Sequence, residues 1–154
     1  AHPDAFIGVG TVLTPDDVAR CQAAGARFVV TPALSIPVIE ACRARDLAVY
    51  PGALTPTEIL TAWNAGADAI KVFPASALGG PSYLRAVKAP FPDIELVPTG
   101  GVTLENAGEF IQAGAAAVGV GGDLVDVEAL RAGRGALIAE RAKQYLAAVR
   151  SARS

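Results

Sequence analysis

Histidine, cysteine and aromatic residues are scarce in this sequence of 154 residues. His2 is the only histidine, which argues against a histidine-based catalytic triad and against a zinc site. Cys21 and Cys42 are the only cysteines, and they lack the CxxC spacing of metal and redox motifs. Two thiols without a disulfide framework predict a reduced chain and a cytoplasmic location. Aromatic residues make up 6% while glycine occurs 16 times, a composition that suits close packing of helices on a sheet.

Long apolar stretches and clusters of basic charge are also missing. No apolar run approaches the roughly 20 residues that a membrane-spanning helix needs, and we expect no signal peptide at the start. Lys and Arg number 13 against 15 Asp and Glu, and they are spread along the chain. We therefore expect contact with neither a membrane nor nucleic acid. Hydrophobic residues make up 52%, which predicts one globular domain over residues 1–154.

Short β-like runs alternate with helix-like segments along the whole sequence. The predicted strands are 6–12, 28–30, 48–50, 69–73, 95–97 and 117–120. The predicted helices begin at 15 after a Thr14 cap, cover 36–45, begin at 56 after a Thr55 cap, and then cover 82–88, 103 or 104 to 113, and 128–149.

A weak internal repeat supports this alternation. Segments 14–26, 55–67 and 103–115 each begin with a threonine that we expect to cap a helix, and each ends in Ala-Gly-Ala. Repetition of one strand-plus-helix unit implies parallel strands with right-handed crossovers. The glycines of the three endings are predicted helix C-caps: Gly25, Gly66 and Gly114.

The number of repeating units decides between two architectures. Six units fit in the sequence at about 25 residues each, whereas a closed (β/α)8 barrel needs eight units and typically about 200 residues or more. We predict an α/β fold of the (β/α)8 TIM-barrel type, present here as its last six units, three to eight. A complete open sheet of six strands is the alternative. Its dinucleotide-binding version is disfavoured because no Gly-x-Gly-x-x-Gly turn is present.

Lys71 is the sharpest chemical signal in the sequence. Alternation along its strand places Ala69, Lys71 and Phe73 on one face, which in a barrel points inward. Burial disfavours the charged ammonium, lowers the lysine pKa and raises the fraction of free amine that can attack a ketone. The alternative is a structural lysine whose head reaches solvent or an ion pair.

Two paired-glycine loops follow the last two predicted strands. Gly100 and Gly101 follow one strand, and Gly121 and Gly122 follow the next. Glycine lets the backbone N–H groups approach an anion, and in (β/α)8 enzymes the loops after strands seven and eight frequently bind phosphate. We therefore predict a phosphate site at these loops. Thr11 and Thr31 also follow strands and are candidates for hydroxyl contacts to a polar substrate, with ordinary capping as the alternative reading.

Three motifs occur in the order that characterises one enzyme family. Residues 8–13 read GVGTVL, residues 71–75 read KVFPA and residues 98–102 read PTGGV. Together they resemble the 2-keto-3-deoxy-6-phosphogluconate (KDPG) and 4-hydroxy-2-oxoglutarate (KHG) aldolases, including the phosphogalactonate relatives. The resemblance extends from about residue 6 to residue 125.

The resemblance implies a metal-free, homotrimeric class I aldolase without a cofactor. Its expected substrate is a small phosphorylated 2-keto-3-deoxy sugar acid, cleaved to pyruvate and glyceraldehyde 3-phosphate. It implies Lys71 as the Schiff-base lysine and Phe73 as a residue lining the site. The same resemblance implies contacts to the pyruvyl group from Thr11, Pro32 and Thr99, and to phosphate from Gly100, Gly101, Gly121 and Gly122.

The sequence departs from the family pattern in two places. The glutamate that serves the family as general acid/base, and an arginine just after it, belong to the second barrel strand and have no counterpart here, so we expect this chain alone to be a poor catalyst. Residues 121–124 read GGDL, closer to the phosphogalactonate relatives than to the Gly-Gly-Ser-Trp of the gluconate enzymes. A carboxylate at Asp123 would repel phosphate unless it turns away.

Two other functions stay open at this point. A phosphate-binding barrel of another class, such as an epimerase or a thiamine-phosphate synthase, would share the glycine loops without needing a covalent lysine. A non-catalytic barrel fragment or scaffold is the other possibility.

Overall fold

A computed structural model describes residues 4–154, so that His2 lies outside the described residues. The chain divides into two compact units, Ala1–Phe73 and Pro74–Ser154.

The first unit alternates short parallel strands with helices. Its strands are β1 (Val9–Gly10), β2 (Phe28–Val30), β3 (Ala48–Tyr50), β4 (Gly52–Ala53) and β5 (Ile70–Val72). β2 pairs in parallel with both β1 and β3, and β4 pairs in parallel with β5 so that Gly52 lies opposite Lys71. The predicted strand at 6–12 is shorter than expected, and β4 was not predicted at all.

Three helices connect these strands, and all three begin as the sequence predicts. The helices are α1 (Pro15–Ala23), α2 (Ile36–Arg43) and α3 (Pro56–Asn64). The Thr14 hydroxyl accepts the Asp17 N–H, and Thr55 forms a reciprocal capping box with Glu58. The buried face of this unit is aliphatic, so that burial holds the helices on the strands. Its fully buried members include Val18, Val29, Val38, Ile39, Val49, Ile59, Ile70 and Val72.

The second unit is mostly helical. It contains a 3-10 helix (Ala75–Leu78), α4 (Pro81–Lys88), β6 (Leu96–Pro98), α5 (Ala107–Gln112), α6 (Val127–Arg131) and α7 (Gly135–Ala152). The predicted strand at 117–120 is reduced to one parallel bridge, Thr99 to Gly119. Helix α5 packs along α7, and Leu84, Leu96 and Phe110 are almost fully buried.

The predicted start of α5 is wrong. Thr103 precedes a turn, in which its N–H donates to Asn106 Oδ1 over 2.8 Å, and it is not at the cap position of the helix. Residues 104–106 form a turn, and the helix begins at Ala107 with Asn106 in the cap position. The predicted glycine C-cap of this repeat is confirmed, because Gly114 has a left-handed φ of 99°. Gly25 and Gly66 are also left-handed, with φ of 88° and 93°.

The single helix predicted over 128–149 is also wrong. Gly133 adopts a left-handed conformation with φ of 71°, which ends α6 and separates it from α7. On α7, Tyr145 is buried, whereas Leu137 and Leu146 are exposed.

Within residues 4–154, no helix is long and apolar enough to cross a bilayer. The same part of the chain has no group of three or more His, Cys, Asp or Glu side chains placed to hold a metal ion.

Candidate active site

Lys71 occupies the middle of β5 and points to the less buried side of that strand. Ile70 and Val72 are 0% and 1% exposed, whereas Lys71 is half-buried, as strand alternation predicts. Burial lowers the pKa of the Lys71 ammonium from its ordinary value. The Lys71 Nζ lies 4.5 Å from the centre of the Phe73 ring, which stabilises the cation and opposes that shift. Loss of hydration is the dominant effect, so a larger fraction of Lys71 is free amine than in an exposed lysine.

The strand beside Lys71 is held in close contact with the loop that carries Pro32. A Cβ on Gly52 would lie 2.4 Å from the Pro32 carbonyl carbon and oxygen, so only glycine fits at this position. The Gly52 N–H donates to the Thr31 hydroxyl over 3.2 Å. The geometry therefore fixes Pro32 against β4, whose other neighbour is β5.

Thr31 has a structural role in this arrangement. Its side chain is 1% exposed, and its hydroxyl donates to the Ala33 carbonyl over 2.6 Å while accepting the Gly52 N–H. Both functions of the hydroxyl are thus used within the protein. Thr31 does not cap α2, whose N-cap is Ser35; its hydroxyl instead has a local structural role.

Thr11 differs from Thr31 in exposure and in backbone conformation. It is exposed just after β1, with φ of 61°. A β-branched residue in the left-handed region is a conformational outlier, and such strain is concentrated at functional sites. This conformation supports Thr11 as a substrate contact.

Two carboxylates of the first unit are already committed to structure. Glu58 Oε2 accepts the Thr55 and Leu54 N–H groups, which lower the pKa of Glu58. Asp68 Oδ2 accepts the Val49 N–H over 2.8 Å, and its other oxygen lies 3.8 Å from Arg43. Both carboxylates therefore have structural hydrogen-bonding roles.

In the second unit, the first glycine loop is built on the 3-10 helix. The Ala75 N–H donates to the Thr99 carbonyl over 2.9 Å, and the Ser76 N–H donates to the Gly100 carbonyl over 3.2 Å. Gly100 and Gly101 have φ of 84° and 77°. Both carbonyls are thereby directed to the 3-10 helix, and the left-handed conformations are ones that glycine adopts without strain. Thr99 is half-buried beside Gly119, its partner in the parallel bridge.

Asn106 braces this loop, and the sequence reasoning missed it. Its side-chain NH2 donates to the Gly101 carbonyl over 3.0 Å, while its Oδ1 accepts the Thr103 N–H. One amide thus spans the turn between Gly101 and α5. An asparagine a few residues after a glycine pair is the signal that would have indicated this turn.

The second glycine loop is open, and its aspartate turns toward α7. A Cβ on Gly121 or Gly122 would meet nothing within 4 Å. Asp123 Oδ2 accepts Nη2 of Arg141 over 2.7 Å and also accepts the Tyr145 hydroxyl. The hydrogen bond from Tyr145, and after it that from Arg141, lowers the pKa of Asp123. The carboxylate is therefore ionised, and the positive charge of Arg141 compensates its negative charge. Arg141 and Tyr145 lie four residues apart on α7, one turn of helix, and were not predicted as site residues.

One cavity of the second unit is lined mainly by negative charge. It has a volume of about 660 Å³ and lies between segment 122–128 and α7. Its charged lining contains one arginine against four carboxylates. These are Arg141 against Asp123, Asp126, Glu128 and Glu140. The excess of negative charge disfavours an anion inside this cavity, to whose lining Gly122 contributes.

Comparisons with a family model and with known proteins point to one enzyme family. Residues 1–140 match the family model described as KDPG and KHG aldolase. The chain is 46% identical over 121 residues to the 2-dehydro-3-deoxy-6-phosphogalactonate aldolase of Escherichia coli strain K12, covering 78% of this chain and 58% of that protein. The chain thus spans less than two thirds of the length of this relative.

Two solved structures are similar to this chain. A native KDPGal structure superposes with a TM-score of 0.88 at 40% identity, covering 96% of this chain and 70% of that one. A KDPG aldolase of Legionella pneumophila, with pyruvate captured as a covalent carbinolamine, superposes with a TM-score of 0.84 at 33% identity. That match covers 95% of this chain and 69% of the other. These similarities confirm the predicted α/β fold of the (β/α)8 aldolase type.

Proposed function

The chain belongs to the KDPG and KHG aldolase family, and we propose that it is a class I aldolase acting through an imine on Lys71. The observation that carries this proposal is the half-buried amine of Lys71, whose pKa is lowered by burial, in the middle of a short strand. The substrate class we propose is a 2-keto-3-deoxy-6-phospho sugar acid.

The proposed chemistry assigns Lys71 two tasks. Its free amine attacks the keto carbon, and loss of water from the carbinolamine leaves a protonated imine. The imine accepts the electron pair of the C3–C4 bond as that bond breaks, while a base takes the proton of the C4 hydroxyl. Glyceraldehyde 3-phosphate leaves, and the remaining enamine is protonated at C3 and hydrolysed to pyruvate, which restores the amine.

The Legionella relative supports the first step. Its structure holds pyruvate as a covalent carbinolamine, the species that precedes the imine. Thr11, Pro32, Phe73 and Thr99 are each proposed to contact the pyruvyl group, and Thr11 has the strained backbone that supports this role.

The phosphate is proposed to bind the backbone N–H groups of the two glycine loops, at Gly100 and Gly101 and at Gly121 and Gly122. The galactonate epimer is the substrate that we propose first, because the E. coli phosphogalactonate enzyme is 46% identical to this chain. Assays with both epimers and with 4-hydroxy-2-oxoglutarate distinguish these substrates. We also propose a homotrimer, which sedimentation equilibrium tests.

Borohydride trapping tests the imine directly. Protein is incubated with pyruvate and sodium borohydride, and the reduced adduct is located by peptide mass spectrometry. We expect modification at Lys71 and none in Lys71→Arg, since a guanidinium remains protonated and cannot attack. Lys88, whose Nζ donates to the Pro92 and Ile94 carbonyls, and the exposed Lys143 serve as internal controls. Labelling confined to those lysines would refute the proposal and favour a phosphate-binding barrel of the epimerase or thiamine-phosphate synthase type.

A further inference from the structure

We propose that Asp123, held by Arg141 and Tyr145, is a positioning residue that makes the second glycine loop compatible with phosphate. This inference rests on the proposed function, since it assumes that Gly121 and Gly122 bind the substrate phosphate. It adds a role for three side chains that do not touch the substrate.

The position of Asp123 would place a negative charge beside a phosphate bound at the loop, and Arg141 and Tyr145 hold that carboxylate away. Asp123 directly follows Gly122, so a free carboxylate here would be available to face an anion bound at the loop. Instead its Oδ2 receives three hydrogen bonds from α7, from Nε and Nη2 of Arg141 and from the Tyr145 hydroxyl. The carboxylate is thereby turned to α7 and neutralised, and its side chain is 28% exposed.

Tyr145 is suited to hold this carboxylate across the physiological pH range. It is 5% exposed, and burial together with the bond to Asp123 raises the pKa of Tyr145 to about 12. The phenol therefore remains a donor, while Arg141 supplies the compensating charge in a two-pronged contact.

The same carboxylate also lies near the segment after the first glycine pair. The backbone N–H of Leu104 helps to lower the pKa of Asp123, after the larger contributions of Tyr145 and Arg141.

The test distinguishes two roles for Arg141: neutralising the charge of Asp123, or only supporting the structure of the loop. The probe is inorganic phosphate, whose dissociation constant is measured by phosphorus NMR or calorimetry for the full chain and its variants. Arg141→Met leaves Asp123 ionised and without its compensating charge, although the Tyr145 hydroxyl still donates to it. This variant should weaken phosphate binding at least about 10-fold through repulsion. Asp123→Asn removes the charge and should bind phosphate at least as tightly as the unaltered protein.

The double variant Asp123→Asn/Arg141→Met provides the decisive comparison. If the arginine acts by restraining a charge, the double variant should regain affinity to within about 3-fold of the unaltered protein, even where its thermal stability stays reduced. A purely structural cluster predicts that Asp123→Asn and Arg141→Met weaken binding alike and that the double variant is no better. That result, or absence of phosphate binding by the unaltered protein, would overturn the proposal.

Tyr145→Phe extends the series without changing charge. It should weaken phosphate binding less than Arg141→Met, since Arg141 still neutralises the carboxylate. Pyruvate trapping at Lys71 is measured in parallel and should be retained in all variants. Failure of trapping in the unaltered protein with normal phosphate binding would contradict the proposed function alone, which distinguishes the two failures.

Discussion

The Nζ of Lys71 lies 4.5 Å from the centre of the Phe73 ring, two residues further along the chain and just after β5 ends. The ring and the loss of hydration act on the amine in opposite directions. Burial lowers the pKa of Lys71, and the negative face of the ring favours the ammonium form. The aromatic ring therefore opposes the pKa shift that burial of the amine produces.

The pH dependence of Lys71 labelling should reveal this balance. Because burial lowers the pKa of Lys71, the reactive free amine should appear at lower pH than in N-acetyl-lysine amide. Phe73→Leu removes the ring that favours the cation, so the midpoint should move to still lower pH. The measurement is the rate of reaction with an amine-specific reagent, followed by peptide mass at Lys71 as pH is varied. A midpoint that rises in Phe73→Leu would show that the ring excludes water more than it stabilises charge.

A matched pair at Gly122 tests the phosphate loop. A Cβ there meets nothing within 4 Å, so Gly122→Ala should leave phosphate binding within about 2-fold. Gly122→Asp adds a negative charge at the same place and should weaken binding at least about 10-fold. Calorimetry with inorganic phosphate measures both. Gly101 is less suited to this comparison because a Cβ there would lie 2.2 Å from the Ser76 hydroxyl, at a φ of 77°. Equal affinity of the Ala and Asp variants would remove Gly122 from the phosphate site.

Asn106→Ala tests the brace between Gly101 and α5. Loss of its two hydrogen bonds should loosen the first glycine loop and weaken phosphate binding by about 3- to 10-fold, corresponding to roughly 0.5–1.5 kcal/mol. Pyruvate trapping at Lys71 should be unchanged. Asn64→Ala, at an exposed position in the last turn of α3, is the control that should alter neither measurement. Unchanged phosphate affinity in Asn106→Ala would show that the loop holds its shape without the brace.

The capping box of α3 should make stability depend on pH in acid. Hydrogen bonds from the Thr55 and then the Leu54 N–H hold the pKa of Glu58 below its ordinary value. Such a carboxylate stabilises the fold above its unfolded-state pKa and loses that contribution as pH falls through the folded-state pKa. Glu58→Gln should cost about 1 kcal/mol at neutral pH, and the difference should shrink in acid. Urea unfolding at neutral pH and in acid measures the difference in unfolding free energy between the two proteins. The variant Glu40→Gln, at an exposed position on α2, is the control. A difference that persists unchanged in acid would contradict the role of the ionised form.

Local chemistry made parts of the fold predictable. Thr14 and Thr55 cap their helices through bonds to residues three positions away, and period-two alternation correctly placed Lys71 opposite Ile70 and Val72. These features depend on neighbours in sequence. The start of α5 was misjudged because residues 104–106 form a turn, in which the Asn106 side chain accepts the Thr103 N–H, before the helix begins.

Features that depend on distant partners were not predictable in this way. Strand β4 is two residues long and exists through its pairing with β5, which the apolar pattern around Gly52 does not reveal. The direction of Asp123 is set by donors 18 and 22 residues further along the chain. The direction of this carboxylate therefore depends on tertiary contacts and could not be predicted from the sequence around Asp123.

The left-handed backbone at Thr11 implies a trade-off between stability and activity. Holding an L-residue in this conformation costs roughly 1–2 kcal/mol, which glycine would not incur, although glycine also loses more entropy on folding. Thr11→Gly should therefore gain up to about 1 kcal/mol, or about 2–4 °C in Tm for a chain of this size. Removing the hydroxyl should at the same time reduce the yield of the pyruvate adduct at Lys71. A more thermostable and less reactive variant would identify Thr11 as a position where the fold tolerates strain to keep a hydroxyl in place.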